Sequence, residues 1–199
     1  MNDAADNPLK VLFAAAEATP FVKVGGLADV TGSLPAALKS LPPTALRGRP
    51  LDVRLVIPLH AVIARSWPNL RLEIEFNVPH PQGPIKAQAY RTESNGIPVY
   101  LIAGDPIPKE GAVYSMDTQK DGEKFTFFSL AVLELCVALG WQPDILHAHD
   151  WHAALSLHML RRRRRSDPFF AATRGIFTVH NLPYMGAGTD KALQSYHIP

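Results

Sequence analysis

The sequence has little of what would place it in a specialised class. It holds a single cysteine, Cys136, in 199 residues, so an intrachain disulfide is excluded. Set inside an apolar helical pattern, that thiol reads as a small core residue. Charge of one sign is lacking as well. Lys and Arg number 20 against 18 Asp and Glu, a net +2, without the basic excess that marks a nucleic-acid binder. The longest apolar run, FTFFSLAVLELCVALGW from Phe125, is interrupted by Glu134 and falls short of the roughly 20 residues a membrane span needs. The opening MNDAADNPLK has no basic segment followed by an apolar one, so no secretory signal is read there and a reducing cytoplasm is the expected compartment. No internal repeat is found at periods of roughly 20 to 50 residues.

What is present is an ordinary globular chain, 47% hydrophobic, long enough for one domain with a substantial core. Strand and helix signals alternate. LKVLFAAAE is a continuous apolar run of the kind expected for a strand covered on both faces, ending at Glu17. After it, Leu27, Val30, Leu34, Leu38 and Leu41 recur at helical spacing. Gly32 and Pro35 lie within that stretch and predict a kink or a late start. The turn-rich LPPTALRGRP leads to a second strand, LDVRLVIP. Then the style changes. LRLEIEFNV sets Leu70, Leu72, Ile74, Phe76 and Val78 on one face, and IKAQAY and IPVYLIA supply two further strands, together a small antiparallel excursion. A buried helix over 125–139, ended by Gly140 and Pro143, restores the alternation. It is followed by DILHAHD as strand, WHAALSLHMLRRRRR as helix and GIFTVH as strand. The pattern predicts an α/β, Rossmann-like, mostly parallel sheet with helices on both faces. The run Arg161 to Arg165 falls at the carboxyl end of a helix, where cations complement the dipole and lie in solvent.

Ligands of parallel sheets bind beyond the carboxyl ends of the strands, and three such ends are polar. The first leads from Glu17 to Lys23, Gly25, Gly26 and Asp29; the others are HAHDWH and VHNLPYMG. Bare glycine backbone, a helix start and a lysine suit an anion. The arrangement is neither a Walker A loop nor a dinucleotide fingerprint, and on its own it is weak evidence that favours a plain surface turn. HAHDWH gathers three histidines, an aspartate and a tryptophan. Inert hydrogen-bonded core histidines are one reading and a metal site another, although His149 and Asp150 are adjacent where binuclear hydrolases usually leave a residue between. His180 and Asn181 add a donor and an amide that both donates and accepts, the mixture a sugar requires. Many hydroxyl-matching groups without a nucleophile–base pair favour carbohydrate.

KVLFAAAEATPFVKVGGLADVTGSLPAAL, DILHAHDWHAAL and FTVHNLPYMG, taken in order, resemble the amino-terminal domain of bacterial glycogen synthases and plant starch synthases, glycosyltransferase family 5, from about Lys10 to Pro199. The resemblance implies the amino-terminal half of a glycosyltransferase-B fold. It also implies retaining transfer of glucose from ADP-glucose, or less often UDP-glucose, to the non-reducing end of an α-1,4-glucan, with no metal and no cofactor. By the same resemblance Lys23, Gly25 and Gly26 lie near the donor phosphates and the acceptor, and Asp29 continues that motif. Asp150, Trp151 and His152 line the acceptor and sugar side, His180 binds the transferred glucose, and Asn181 and Tyr184 belong to the same pocket. His180, Lys23 and Asp150 are the residues it implicates in catalysis. The chain departs from the family pattern in having Val24 where threonine is common, Lys124 where arginine is frequent, a lengthened LPPTALRGRP and none of the usual residues near Ile107 to Tyr114. The same resemblance leads to the expectation of a truncated amino-terminal domain, stopping at Pro199 before it is complete and without the carboxyl-terminal domain that holds most of the nucleotide. The expectation is a domain of residues 1–199 that is inactive alone and whose uncovered apolar surface favours self-association. The alternative is a non-catalytic chain that binds glucan or a partner.

Overall fold

The computed structural model describes residues 7–199. Seven strands form one sheet in the order β3-β4-β5-β2-β1-β6-β7. The central β1 (Leu9–Ala14) pairs in parallel with β2 (Leu51–Pro58) and β6 (Ile145–His149), and β7 (Arg174–Thr178) adds in parallel beyond β6. On the other side β2 pairs in parallel with β5 (Ile97–Gly104), from which β4 (Ile85–Ser94) and β3 (Arg71–Val78) run antiparallel. The parallel sheet and its antiparallel excursion are thus both present. The hairpin between β4 and β5 turns on Asn95 and Gly96, both at positive φ, the pairing that a two-residue type I′ turn demands.

Successive residues of β1 supply opposite faces, as the pleat requires. Val11 and Phe13 pack with Val53, Leu55 and Ile57 against α1 (Gly26–Lys39) and α2 (Ala61–Ser66). Leu12 and Ala14 pack with Val56, Tyr100 and Ile102 against α3 (Thr118–Ala138) and α4 (Trp151–Arg163). Helices therefore cover both faces. A last helix, α5 (Asp190–Ser195), docks on α3. Neither α2 nor α5 announces itself in the sequence pattern.

Three details differ from the sequence reading. α1 starts directly at Gly26 and carries Pro35 inside it, buried, so the delayed start is not seen. Gly32 is what lets α1 sit close to the preceding loop. A Cβ there would stand 2.1 Å from the Thr19 hydroxyl, and Thr19 donates its N–H to the Ala28 carbonyl at 3.0 Å. α3 begins seven residues earlier than 125, because the Asp117 side chain accepts from the N–H groups of Gln119 and Lys120 and caps it. Its end is as read: Gly140 at φ 58 donates to Val137 and Trp141 donates to Cys136, a Schellman closure. In β3 the register shifts between Leu72 and Ile74, which breaks the expected single face. Leu70 packs on the α1 side, Ile74, Phe76 and Val78 on the α3 side, and Leu72 is exposed.

The arginine run closes α4 as expected, but Arg163 is structural rather than solvated. It donates to Glu134 at 2.7 Å and to Asp167 at 2.8 Å and lies over the Phe170 ring. Cys136 is buried, and burial pushes its thiol up to about 12.

Candidate active-site cleft

β1 sits at the point where the strand order reverses: β2 and β5 extend to one side, β6 and β7 to the other. α1 leaves on one face and α4 on the other, so a crevice opens beyond the carboxyl ends of β1 and β6, where doubly wound sheets bind ligands. A cleft of about 810 Å³ occupies that place. Gly25, Gly26, Asp150, Trp151, His152, His180, Asn181 and Tyr184 all line it. The structure thus brings together residues from three separate strand ends.

Lys23 and Asp29 are placed differently. The Lys23 ammonium donates to both Asp29 oxygens at 2.7 Å, half exposed, and neither residue lines the cleft. The glycines are where bare backbone meets the opening. Gly25 is the N-cap of α1 with no side-chain cap, and a Cβ on Gly26 would meet no atom within 4 Å. Packing within this chain does not require Gly26 to lack a side chain; close approach of a ligand to the helix start would.

The organiser of that loop is Glu17, which the strand pattern marks only as a strand end. β1 stops at Ala14 and the chain runs on to Glu17, which is 2% exposed. One carboxylate oxygen accepts the N–H groups of Val24 and Gly25, and the other accepts the Tyr114 hydroxyl at 3.0 Å. Burial and the adjacent carboxylate raise the Tyr114 phenol well above its ordinary range, so it remains a donor. Tyr114, Ser115, Thr118 and Asp121 also line the cleft. None of them was legible as a site residue, since Tyr114 and Glu17 meet across 97 positions of sequence.

Asp150 holds the other wall. It is the N-cap of α4 at φ 56 and ψ 178, a backbone region that side chains rarely occupy. Its N–H donates to the Thr178 carbonyl at 2.9 Å. Its carboxylate accepts the N–H of His180 at 2.6 Å and that of Asn181 at 3.4 Å. The strained residue therefore pins the end of β7 to the end of β6. Trp151 stacks edge-on against Phe125 and lies so close under Gly186 that a Cβ there would be 2.7 Å from its ring. His152 is buried against Tyr114 and Phe125. Burial, then Lys124 and His60, push its imidazole down to about 3.

The histidines of HAHDWH do not converge. His147 and His149 stack with centroids 4.2 Å apart, whereas His149 and His180 lie nearly coplanar, centroids 5.1 Å apart at 17°, and meet edge to edge. One pair is laid face to face and the other is joined nitrogen to nitrogen at 2.8 Å, so the three rings do not direct their nitrogens to a common point. Among the described residues no group of three or more His, Cys, Asp or Glu is arranged to hold a metal ion. Nor, among them, is any helix long and apolar enough to cross a membrane.

The fold and cleft define an α/β domain with its ligand crevice at the switch point of the sheet. Residues 10–199 match the starch synthase catalytic domain family, and the chain belongs to that family. It is 37% identical over 188 residues to the glycogen synthase of Desulforamulus reducens, covering 94% of this chain and 37% of that one. It is 36% identical over 184 residues to the glycogen synthase of Photobacterium profundum, covering 90% and 35%. The catalytic domain of starch synthase IV from Arabidopsis thaliana, solved bound to ADP and acarbose, superposes with a TM-score of 0.79 at 28% identity, covering 97% of this chain and 38% of that one. The chain thus spans little more than a third of the length of these relatives.

Proposed function

We propose that this chain forms the acceptor-side half of a glucan synthase cleft, serving retaining transfer of glucose from ADP-glucose to the non-reducing end of an α-1,4-glucan. The observation that carries the reading is the convergence of two helix starts on one cleft. α1 opens with bare Gly25 and Gly26, α4 opens with Asp150 and Trp151, and the His180–Asn181 pair stands beside them. The Glu17 and Asp150 carboxylates stand at these two helix starts, and the first-turn N–H groups of α1 beyond Gly25 are the ones suited to a donor phosphate. An imidazole, an amide and an indole face offer the hydroxyl partners and stacking surface that a hexose takes. ADP and acarbose, a saccharide, are what the Arabidopsis relative was solved with.

In this reading His180 donates to the transferred glucose, and Asn181 and Tyr184 complete the sugar pocket. Trp151 and His152 flank the acceptor, and Asp150 sets the positions of His180 and Asn181. Gly25 and Gly26 admit the donor phosphates, with Lys23 as a nearby cation. Stabilising the charge that develops on the leaving diphosphate needs donors from both sides of a cleft. Residues 1–199 therefore act as the amino-terminal domain of a two-domain glycosyltransferase-B enzyme and transfer no glucose by themselves. The buried lone cysteine supports a cytoplasmic setting. Ile176, Phe177, Val179, Leu182 and Met185 are exposed along and after β7 and support self-association, which sedimentation at rising concentration tests.

The reading is tested by joining this chain to the remaining carboxyl-terminal part of the Desulforamulus reducens enzyme and following labelled glucose from ADP-glucose into glycogen. Transfer that His180→Ala lowers by about 100-fold or more supports it. Glucan binding without transfer would favour a non-catalytic binding role.

A further inference from the structure

His149 is wholly buried and does not line the cleft, yet it is hydrogen-bonded to His180, which does. Its Nδ1 lies 2.8 Å from Nε2 of His180, the two rings nearly coplanar, and its faces pack on Phe13 and His147. His147 in turn bonds the Thr178 hydroxyl through Nε2 at 2.7 Å. The remaining His149 nitrogen, Nε2, is buried and finds no partner among the described residues.

Two nitrogens at 2.8 Å share one proton, and the two assignments are not equivalent. If His180 donates, His149 must carry its own proton on Nε2 and bury an N–H with no acceptor. If His149 donates from Nδ1, its Nε2 is only a bare lone pair. Orphaned buried N–H groups are the rarer of the two in folded proteins. Burial and the neighbouring His147 and His180 push His149 down to about 3, so it stays neutral and has one proton to place.

We propose that His149 is a positioning residue which donates Nδ1–H to Nε2 of His180 and so fixes the tautomer and ring orientation of His180. The His180 proton is then on Nδ1, and His180 meets its ligand as an N–H donor. The inference about the ligand rests on the reading of His180 as a glucose-binding residue; the tautomer assignment does not.

The test is nitrogen-15 NMR of the histidine-labelled 199-residue chain, with maltooligosaccharide titration in parallel. The expected spectrum has protonated Nδ1 and unprotonated Nε2 on both His149 and His180, with a coupling across the N–H···N bond. His149→Phe keeps the ring stack and removes the donor. It should shift His180 toward the Nε2–H form and weaken saccharide binding by about tenfold, equivalent to about 1.4 kcal/mol. His149→Asn, whose amide can reach the Nδ1 position, should recover most of the affinity. A wild-type His180 protonated on Nε2, or a His180 tautomer unaltered in His149→Phe, overturns the proposal. The wild-type spectrum decides by itself if His149→Phe does not fold. A wild-type chain with the expected tautomers that binds neither maltooligosaccharide nor ADP-glucose leaves the assignment standing and overturns the site reading instead.

Discussion

Two loops border the cleft, and they are held in different ways. The loop from Ala15 to Gly25 carries its own anchor: Glu17 is inside it, and Phe21 and Val22 are buried in the core beside α1. The loop from Val179 to Gly188 has its anchor on another element. Asp150, at the end of β6, takes the N–H groups of His180 and Asn181, while Leu182, Tyr184 and Met185 stay exposed. Both depend on a buried carboxylate that accepts backbone N–H groups, but the first is part of the domain core and the second rides on it. The side chains best suited to touch a ligand, His180, Asn181 and Tyr184, sit on the less embedded loop, as expected where recognition groups are presented by a rigid scaffold.

The largest test of this contrast is acidification. His60, whose Nε2 bonds the Ala16 carbonyl at 2.7 Å beneath the first loop, is lowered by burial to about 4. His149, which bonds His180 of the second, and His152, packed against Tyr114 and Phe125, are lowered to about 3. A depressed histidine stays neutral in the folded state while the unfolded chain takes up a proton below about 6.5. Stability is therefore complete above that pH and falls as pH drops toward 4 and then 3. Each imidazole contributes about 1.4 kcal/mol per pH unit, so urea midpoints should show a loss of about 4–6 kcal/mol between pH 7.5 and pH 5. His149→Phe should flatten the slope by about one proton. A pH-independent midpoint would show that these rings are not held neutral.

Removing the anchors comes next. Glu17→Ala leaves two backbone N–H groups and the Tyr114 hydroxyl without their acceptor and should cost about 3 kcal/mol in a urea titration. Asp150→Ala should cost less, about 1–2 kcal/mol, since it frees two N–H groups at an already strained position. The order should reverse for saccharide affinity, with Asp150→Ala the more damaging because it releases His180 and Asn181. Equal effects of both variants on both measurements would erase the distinction between the loops.

Gly186→Ala is smaller and more local. Gly186 sits at φ 78 with a would-be Cβ 2.7 Å from Trp151, so substitution should destabilise by roughly 1–2 kcal/mol and displace Trp151, visible as altered tryptophan fluorescence. Lys23→Ala should be the mildest for stability. Its ion pair with Asp29 is half exposed and should change the midpoint by no more than about 0.5 kcal/mol, while weakening ADP-glucose binding.

The loops also mark where sequence reading succeeds and stops. Period and punctuation locate β1, β2, the β4–β5 hairpin, β6, α4 and β7, because apolar runs bounded by Gly, Pro or Asn are local signals. Strand-end logic then assembles eight of the ten singled-out residues around one cleft. What is not local was not legible. Lys23 turns to Asp29 instead of the opening. Glu17 gains its role from Tyr114. The early start of α3 depends on Asp121 and Lys124, buried as a pair at 2.6 Å, so that a charged stretch resembling a loop is in fact core-facing helix. The β3 bulge is set by pairing with β4 and leaves no mark in the alternation of β3 itself. His149 and His180 meet only because β6 and β7 pair with His149 opposite Thr178.

Calorimetric titration of the 199-residue chain with maltooligosaccharide, and separately with ADP-glucose, tests the central claim most directly when run beside a variant in which Lys23 and His180 are both alanine. The account predicts saccharide binding by the wild-type chain that the double variant loses. Absence of binding to either ligand, or saccharide binding that survives in the double variant, would contradict a glucan cleft built on these strand ends.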